Sequence, residues 1–267
     1  MIAGILKEIK TEENRVSMTP AGVEVMRDHG HTVLVEKGAG AGSGLDDKAY
    51  AAAGAEIVKT PKEIYDRSEL VMHVKEPMPS EYEMIRKDQI VFTYFHLAAD
   101  EILTKAMVKT QSIDIAYETI QRADGSLPLL IPMSEVAGRM AIQEGAKYLE
   151  MKYGGEGVLL GGVPGVDPAT VLVLGAGTVG TQAAKMACGH GAKVYVVDSW
   201  LPRLRYLNDV MPSNCFTQMS SPAVIRKLIR EADLVIGSVL IPGAKTPKLV
   251  TRDMLKIMKK GAVMVDV

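Results

Sequence analysis

Residues 170–187 read TVLVLGAGTVGTQAAKMA, and this stretch decides the fold. The run Val171–Leu174 is wholly apolar and rich in valine, as a strand buried on both faces must be. Gly175, Gly177 and Gly180 follow in the spacing GxGxxG. The residues from Thr181 to Ala187 then favour a helix. A second apolar run, Val194–Val197, ends in Asp198, about 20 residues beyond the first glycine, where an acidic group meets ribose hydroxyls. Each glycine has a task in such a unit. Gly175 permits the tight turn, Gly177 lets the backbone approach a pyrophosphate, and Gly180 lets helix and strand pack closely. The helix N-terminus then faces the phosphates. Asp198 would repel a 2′-phosphate, which favours NAD over NADP, although Arg203 and Arg205 weaken that preference. On the residues alone, a turn of this type that binds nothing, or another nucleotide, is the alternative.

Working outward, the second half predicts further strands at Cys215–Thr217, Leu234–Ile236 and Ala262–Val267. Ligands of open parallel sheets lie at the carboxyl ends of strands, so Ser220, Val239 and Leu240 are candidate cofactor contacts. Ser220 reads equally well as a helix cap before Pro222. Towards the N-terminus, Ser134 reads as the N-cap of a long helix running to about Lys152. Residues 121–132, with Asp124-Gly125 and two prolines, mark a domain boundary. The expected domains are 1–126 and 127–267.

The first 120 residues alternate short apolar runs (2–6, 31–36, 55–58, 70–74, 90–95, 113–117) with helical patterns (20–28, 46–53, 61–67, 81–86, 100–109). That rhythm predicts βαβ units and a second parallel sheet. The expected fold class is therefore α/β, with two Rossmann-like parallel-sheet domains. A second glycine-rich stretch, VEKGAGAGSGLDD (35–47), also follows a strand. It lacks the third fingerprint glycine and the distant acidic residue, and reads as a flexible loop.

Three polar residues of the first domain follow predicted strands: Arg15, Lys75 and His96. An arginine grips a carboxylate with two parallel hydrogen bonds. A lysine polarises a carbonyl or holds a carboxylate as a point charge. A histidine exchanges a proton near neutral pH. Gathered in one crevice, they would suit oxidation or reduction of a small 2-amino or 2-hydroxy acid. Taken singly, each has a plainer reading: a loop salt bridge, a surface ion pair, a satisfied buried histidine. His73 and His31 carry the same ambiguity without supporting context.

Composition limits the partners. Of 267 residues, 47% are hydrophobic and 24% charged, which excludes a disordered chain. Thirty-one Lys and Arg against 32 Asp and Glu leave a net charge of -1, so no basic excess drives nucleic-acid binding. Two cysteines without a CxxC pair fit a reducing compartment. No apolar run approaches the roughly 20 residues of a membrane span, and charges come too early in MIAGILKEIK for a secretory signal. A cytoplasmic protein is expected, with no membrane and no nucleic-acid partner.

The segments NRVSMTPAGV (14–23), HVKEP (73–77), FHLAA (95–99), AYET (116–119), PMSEVAGRMA (132–141), GGVPGV (161–166), LGAGTVG (174–180) and VLIPGAKTPKLV (239–250) together resemble the alanine dehydrogenase family over the whole chain. The resemblance implies NAD-dependent, reversible oxidative deamination of L-alanine to pyruvate and ammonia. It also implies an active site in the cleft between the two domains, and a homohexamer. By matching motif, it makes Arg15 and Lys75 substrate-binding and His96 the acid/base. It adds Ser134, Thr178, Val179, Asp198, Arg203, Ser220, Val239 and Leu240 as NAD contacts. Family members continue beyond the strand ending VMVDV, with a segment that carries a catalytic aspartate, so the chain is expected to be C-terminally incomplete. Two other functions are alternatives. One is a non-catalytic NAD-binding protein. The other is the NAD-binding part of a transhydrogenase, against which the histidine of FHLAA argues.

Overall fold

The computed structural model describes residues 1–240, 246 and 248–267. Part of the 239–250 segment, residues 241–245 and 247, lies outside the described residues. The described residues form two compact units, Met1–Leu129 and the residues from Leu130 to Val267.

The first unit runs β1 (Ile2–Ile5), α1 (Pro20–Asp28), β2 (Thr32–Glu36), α2 (Asp47–Ala52), β3 (Glu56–Val58), α3 (Pro61–Arg67), β4 (Leu70–Met72), β5 (Ile90–Thr93), α4 (Glu101–Thr110) and β6 (Ile113–Ala116). Its six strands are all parallel, in the order β3-β2-β1-β4-β5-β6. The order reverses between β1 and β4, which creates the crevice where doubly wound sheets bind ligands. Both faces of the sheet are covered. Leu34 packs with Ile64, Val71 and Leu103 on one side, while Val33 and Val35 pack with Val23 and Tyr50 on the other. This explains why these strands read as continuous apolar runs rather than as alternating ones.

The second unit runs α5 (Ile131–Tyr148), β7 (Thr170–Leu174), α6 (Thr178–Gly189), β8 (Lys193–Asp198), α7 (Leu201–Val210), β9 (Cys215–Met219), α8 (Pro222–Ile229), β10 (Leu234–Gly237), α9 (Arg252–Leu255) and β11 (Val263–Asp266). Its parallel sheet has the order β11-β10-β7-β8-β9, with the switch point between β7 and β10. Val171 and Val173 enter the core on one face, and Leu172 and Leu174 on the other.

Several local expectations are corrected. Ser134 is not a helix cap. The helix α5 starts three residues earlier, and the Ser134 N–H already donates to the Leu130 carbonyl at 3.0 Å. Pro132 explains the shift, because proline's fixed φ and missing N–H suit the first helical turn. The same helix ends at Tyr148, and residues 151–153 form a separate 3-10 turn closed by Gly154 at φ 87°. The helix expected over 81–86 is only a 3-10 turn, Tyr82–Met84. The glycine-rich loop after β2 is tied down: Gly38 N–H donates to Asp47 at 2.7 Å, and the Ser43 hydroxyl donates to the Asn14 carbonyl at 2.8 Å.

Candidate functional site

In the first unit the relevant loops leave the carboxyl ends of β1, β4 and β5, around the switch point. Lys75 follows β4, and its backbone is anchored on both sides. Its backbone N–H faces a Glu8 carboxylate oxygen at 3.4 Å, and its carbonyl accepts from the buried Thr93 hydroxyl at 2.8 Å. Glu8 also accepts from the Val74 N–H at 2.6 Å and meets Nδ1 of His73 at 3.4 Å. The other ring nitrogen of His73 faces the Tyr65 hydroxyl at 3.0 Å and Glu81 at 3.6 Å. His73 is thus the buried, satisfied histidine of the pair.

His96 is the opposite case. It is exposed, three residues beyond β5, with backbone φ 54° and ψ 36°. That left-handed conformation costs a non-glycine residue roughly 1–2 kcal/mol. Its surroundings hold it there. The His96 N–H donates to Glu118 at 2.6 Å, and its ring stacks on Tyr94 with centroids 6.3 Å apart. Downstream, the Asp100 carboxylate caps α4 by accepting from Ile102 and Leu103 N–H at 2.9 Å, worth about 1 kcal/mol. Strain that the surroundings enforce is typical of functional positions.

Arg15 is gripped in two places by one carboxylate. Its Nε donates to Glu13 Oε1 at 2.8 Å and its Nη2 to Oε2 at 2.6 Å. The Arg15 guanidinium accordingly holds the Glu13 carboxyl below the usual carboxylate range, and Lys75 adds to this through its charge. Tyr94 lies within electrostatic range of both Arg15 and Glu118, and its burial pushes its hydroxyl up. The structure therefore brings Arg15, Lys75 and His96 into one polar neighbourhood. It adds residues that the sequence reading missed: Glu8, Glu13, Tyr94 and Glu118. Tyr94 and Glu118 stand in or beside segments already singled out, FHLAA and AYET, but nothing in their spacing marks them. One oxygen of Glu118, Oε2, is buried without a hydrogen-bond partner among the described residues.

In the second unit the glycine turn can be tested position by position. Gly175 has φ +106°, and a Cβ there would lie 3.0 Å from the Ser238 carbonyl oxygen and from a Val239 methyl. A Cβ on Gly180 would lie 1.9 Å from the Gly175 carbonyl oxygen. A Cβ on Gly177 would meet nothing within 4 Å. Two glycines are therefore required by the protein itself, while the third keeps a space clear. The helix α6 begins beside that space, with Gly177 as its N-cap, no side-chain cap and no acidic residue in its first turn. The amides of Thr178 and Val179 stand at that N-terminus, where a phosphate is favoured. The residues present fit a dinucleotide.

Asp198 closes the turn. One carboxylate oxygen accepts from Ala176 N–H at 2.7 Å and the other from Trp200 N–H at 2.8 Å, while its carbonyl accepts from Ser220 N–H at 2.8 Å. Arg203 donates to the Ala176 carbonyl at 2.8 Å and to the Thr181 hydroxyl at 2.9 Å, so it braces the turn. Ser238, which the sequence reading passed over, is buried. Its hydroxyl lies within hydrogen-bonding reach of two carbonyls, Leu174 (2.8 Å) and Gly175 (3.1 Å). Ser220 is not the cap of α8. Ser221 fills that role by accepting from Val224 N–H at 3.2 Å, and Ser220 is left at the end of β9. Ser134 lies one turn before Gly138 on the same face of α5, and a Cβ on Gly138 would lie 2.3 Å from the Val179 carbonyl oxygen. A cavity of about 410 Å³ opens at the ends of β7, β10 and β11, lined in part by Leu174, Ser238, Val239 and Asp266. Leu240 is exposed.

Two doubly wound parallel sheets, one of them carrying a complete dinucleotide-type turn, place the chain among the Rossmann-fold oxidoreductases. Residues 4–137 match the family model for the alanine dehydrogenase/PNT N-terminal domain, and residues 141–267 match that for the C-terminal domain. The chain belongs to the alanine dehydrogenase/PNT family. It is 56% identical to an alanine dehydrogenase of Methanococcus maripaludis, over all of this chain and 72% of that one. It is 53% identical to an alanine dehydrogenase of Bacillus subtilis, over all of this chain and 70% of that one. Among solved structures it is similar to an L-alanine dehydrogenase, with TM-score 0.91, 47% identity, and coverage of 100% of this chain and 74% of that one. A transhydrogenase from Sinorhizobium meliloti matches with TM-score 0.81 and 28% identity, over 99% of this chain and 77% of that one. Among the described residues no helix is long and apolar enough to cross a membrane.

Proposed function

We propose that the chain catalyses the NAD-dependent, reversible oxidative deamination of L-alanine to pyruvate and ammonia. The observation that carries this reading is the gathering of two cations and a strained, exposed histidine around one switch point, in a chain more than half identical to alanine dehydrogenases. The higher identity to alanine dehydrogenases than to the transhydrogenase favours amino-acid turnover over the transhydrogenase reading.

In this reading Arg15 holds the substrate carboxylate and Lys75 neutralises charge that develops on the carbonyl oxygen. A bound nicotinamide supplies the acceptor for the hydride that leaves C2 of alanine. His96 takes a proton from the water that adds to the resulting imine carbon, and returns one to the departing amine. The sum is alanine, water and NAD⁺ giving pyruvate, ammonium, NADH and a proton. These side chains work by positioning and electrostatics, without a covalent enzyme intermediate. Gly175, Gly177, Gly180, Thr178 and Val179 hold the pyrophosphate, and Asp198 takes the ribose and disfavours a 2′-phosphate. Ser134, Arg203, Ser220, Val239 and Leu240 complete the cofactor's surroundings. The units Met1–Leu129 and Leu130 onward then serve as substrate and NAD domains. A cytoplasmic homohexamer belongs to the same reading, and sedimentation analysis tests the assembly.

Absorbance at 340 nm tests the reaction directly, with pyruvate, ammonium and NADH or NADPH. His96→Ala lowers turnover by a factor of about 10² or more, the usual worth of a general acid/base, and leaves the NADH dissociation constant nearly unchanged. Equal loss of turnover and of NADH binding would remove His96 from the acid/base role.

A further inference from the structure

Glu13 grips Arg15 in the way a substrate carboxylate would. Its two oxygens sit on Nε (2.8 Å) and Nη2 (2.6 Å) in the parallel fork that guanidinium groups make with carboxylates. Oε1 also accepts the Arg15 backbone N–H at 2.9 Å. The Glu13 side chain is nearly covered, 9% exposed, whereas Arg15 is 45% exposed. The backbone is bent to make this contact. Glu12, one residue earlier, sits at φ 64°, and the Glu13 N–H closes a turn on the Lys10 carbonyl at 3.1 Å. A non-glycine residue held at positive φ signals a conformation that its surroundings enforce.

We propose that Glu13 is an internal stand-in for the substrate carboxylate, a latch that occupies Arg15 in the free enzyme and is displaced when substrate binds. The proposal rests on the reading of Arg15 as the carboxylate-binding residue. Glu13 holds the Nε–Nη2 edge, so a substrate carboxylate that takes this same edge meets an enzyme in which only the unlatched fraction is competent. Apparent affinity falls by that fraction. Arg15 itself keeps Glu13 ionised down to below the ordinary carboxylate range, so the latch persists across neutral pH. The latch makes Glu13 a determinant of KM that never touches the reacting carbon.

Glu13→Gln keeps the shape and removes the charge. Steady-state kinetics should show KM for pyruvate falling about two- to fivefold, the range a solvent-reachable ion pair sustains. The inhibition constant of propionate, a carboxylate with nothing to react, should fall by the same factor. A rise in both constants would mean that Glu13 orients Arg15 for substrate, and would overturn the latch. Unchanged constants in both Glu13→Gln and Glu13→Ala would overturn it too. If the wild-type enzyme does not turn over pyruvate, the proposed reaction fails. Calorimetric binding of propionate to wild type and Glu13→Gln then still decides the latch, with tighter binding by the variant expected and equal or weaker binding refuting it.

Discussion

Gly177→Ala and Gly180→Ala introduce the same methyl group three residues apart, and the structure assigns them opposite outcomes. At Gly180 the new Cβ would lie 1.9 Å from the Gly175 carbonyl oxygen and 2.7 Å from the Ser238 hydroxyl. The nearest obstacle is backbone, so the strand-to-helix turn must open. Overpacking of this kind costs about 1–3 kcal/mol, against a gain of up to ~1 kcal/mol from alanine's better helix propensity. A net loss of stability follows. At Gly177 the methyl meets nothing within 4 Å, and the backbone there, φ -65° and ψ -165°, is open to any residue. A weaker N-cap costs some tenths of a kcal/mol, and the stiffer unfolded chain returns a similar amount. Stability should stay within ~0.5 kcal/mol of wild type. The methyl does, however, project into the space the turn keeps clear. If the pyrophosphate must retreat and lose one charge-assisted hydrogen bond to an amide, about 1.5–3 kcal/mol of affinity goes, roughly 10- to 150-fold in the dissociation constant. Urea unfolding gives the stabilities, and NADH fluorescence titration gives the affinities. Wild-type NADH affinity in Gly177→Ala would refute the assignment of that space to the cofactor. A loss of stability equal to that of Gly180→Ala would refute the division of labour between the two glycines.

Glu8→Ala strands the Val74 N–H and removes the Nδ1 partner of His73, and should cost about 1–3 kcal/mol in urea unfolding, with KM for pyruvate rising because the backbone carrying Lys75 loses one of its two anchors; an unchanged KM would leave Glu8 a purely structural residue. Burial pushes the Asp114 carboxyl above its usual range, so the folded chain holds that proton to higher pH than the unfolded chain does. Its ionised form therefore costs stability at neutral pH, and the cost fades as pH falls through the raised value. Asp114→Asn, which keeps an acceptor for the Ser112 hydroxyl, should be the more stable protein at pH 7 in thermal unfolding, with the advantage shrinking towards acid; a variant less stable at pH 7 would contradict this.

The sequence by itself determined much of what neighbours a few residues apart govern. The apolar run 171–174, the three glycines and Asp198 at the end of β8 specify a strand, a turn and a helix, because backbone sterics and burial on both sheet faces act locally. The prolines at 20 and 61 open their helices where expected, for the same reason. The particular side chains of the first unit were only half legible. His73 and His96 both follow a strand in apolar company, yet one is buried and the other exposed. The partners that bury His73 are Glu8, Tyr65 and Glu81, brought from up to 65 positions away by the sheet order. Ser134 and Ser220 each read as caps, and neither is one: Pro132 lets α5 start before Ser134 with no side-chain cap, and the capping of α8 falls to Ser221. The tertiary structure alone decided the strand orders with their two switch points, the anchoring of Lys75 by Glu8 and Thr93, and the clearance beside Gly177. These depend on which distant backbones approach one another, and that is settled by packing of the whole core rather than by any residue's own preference.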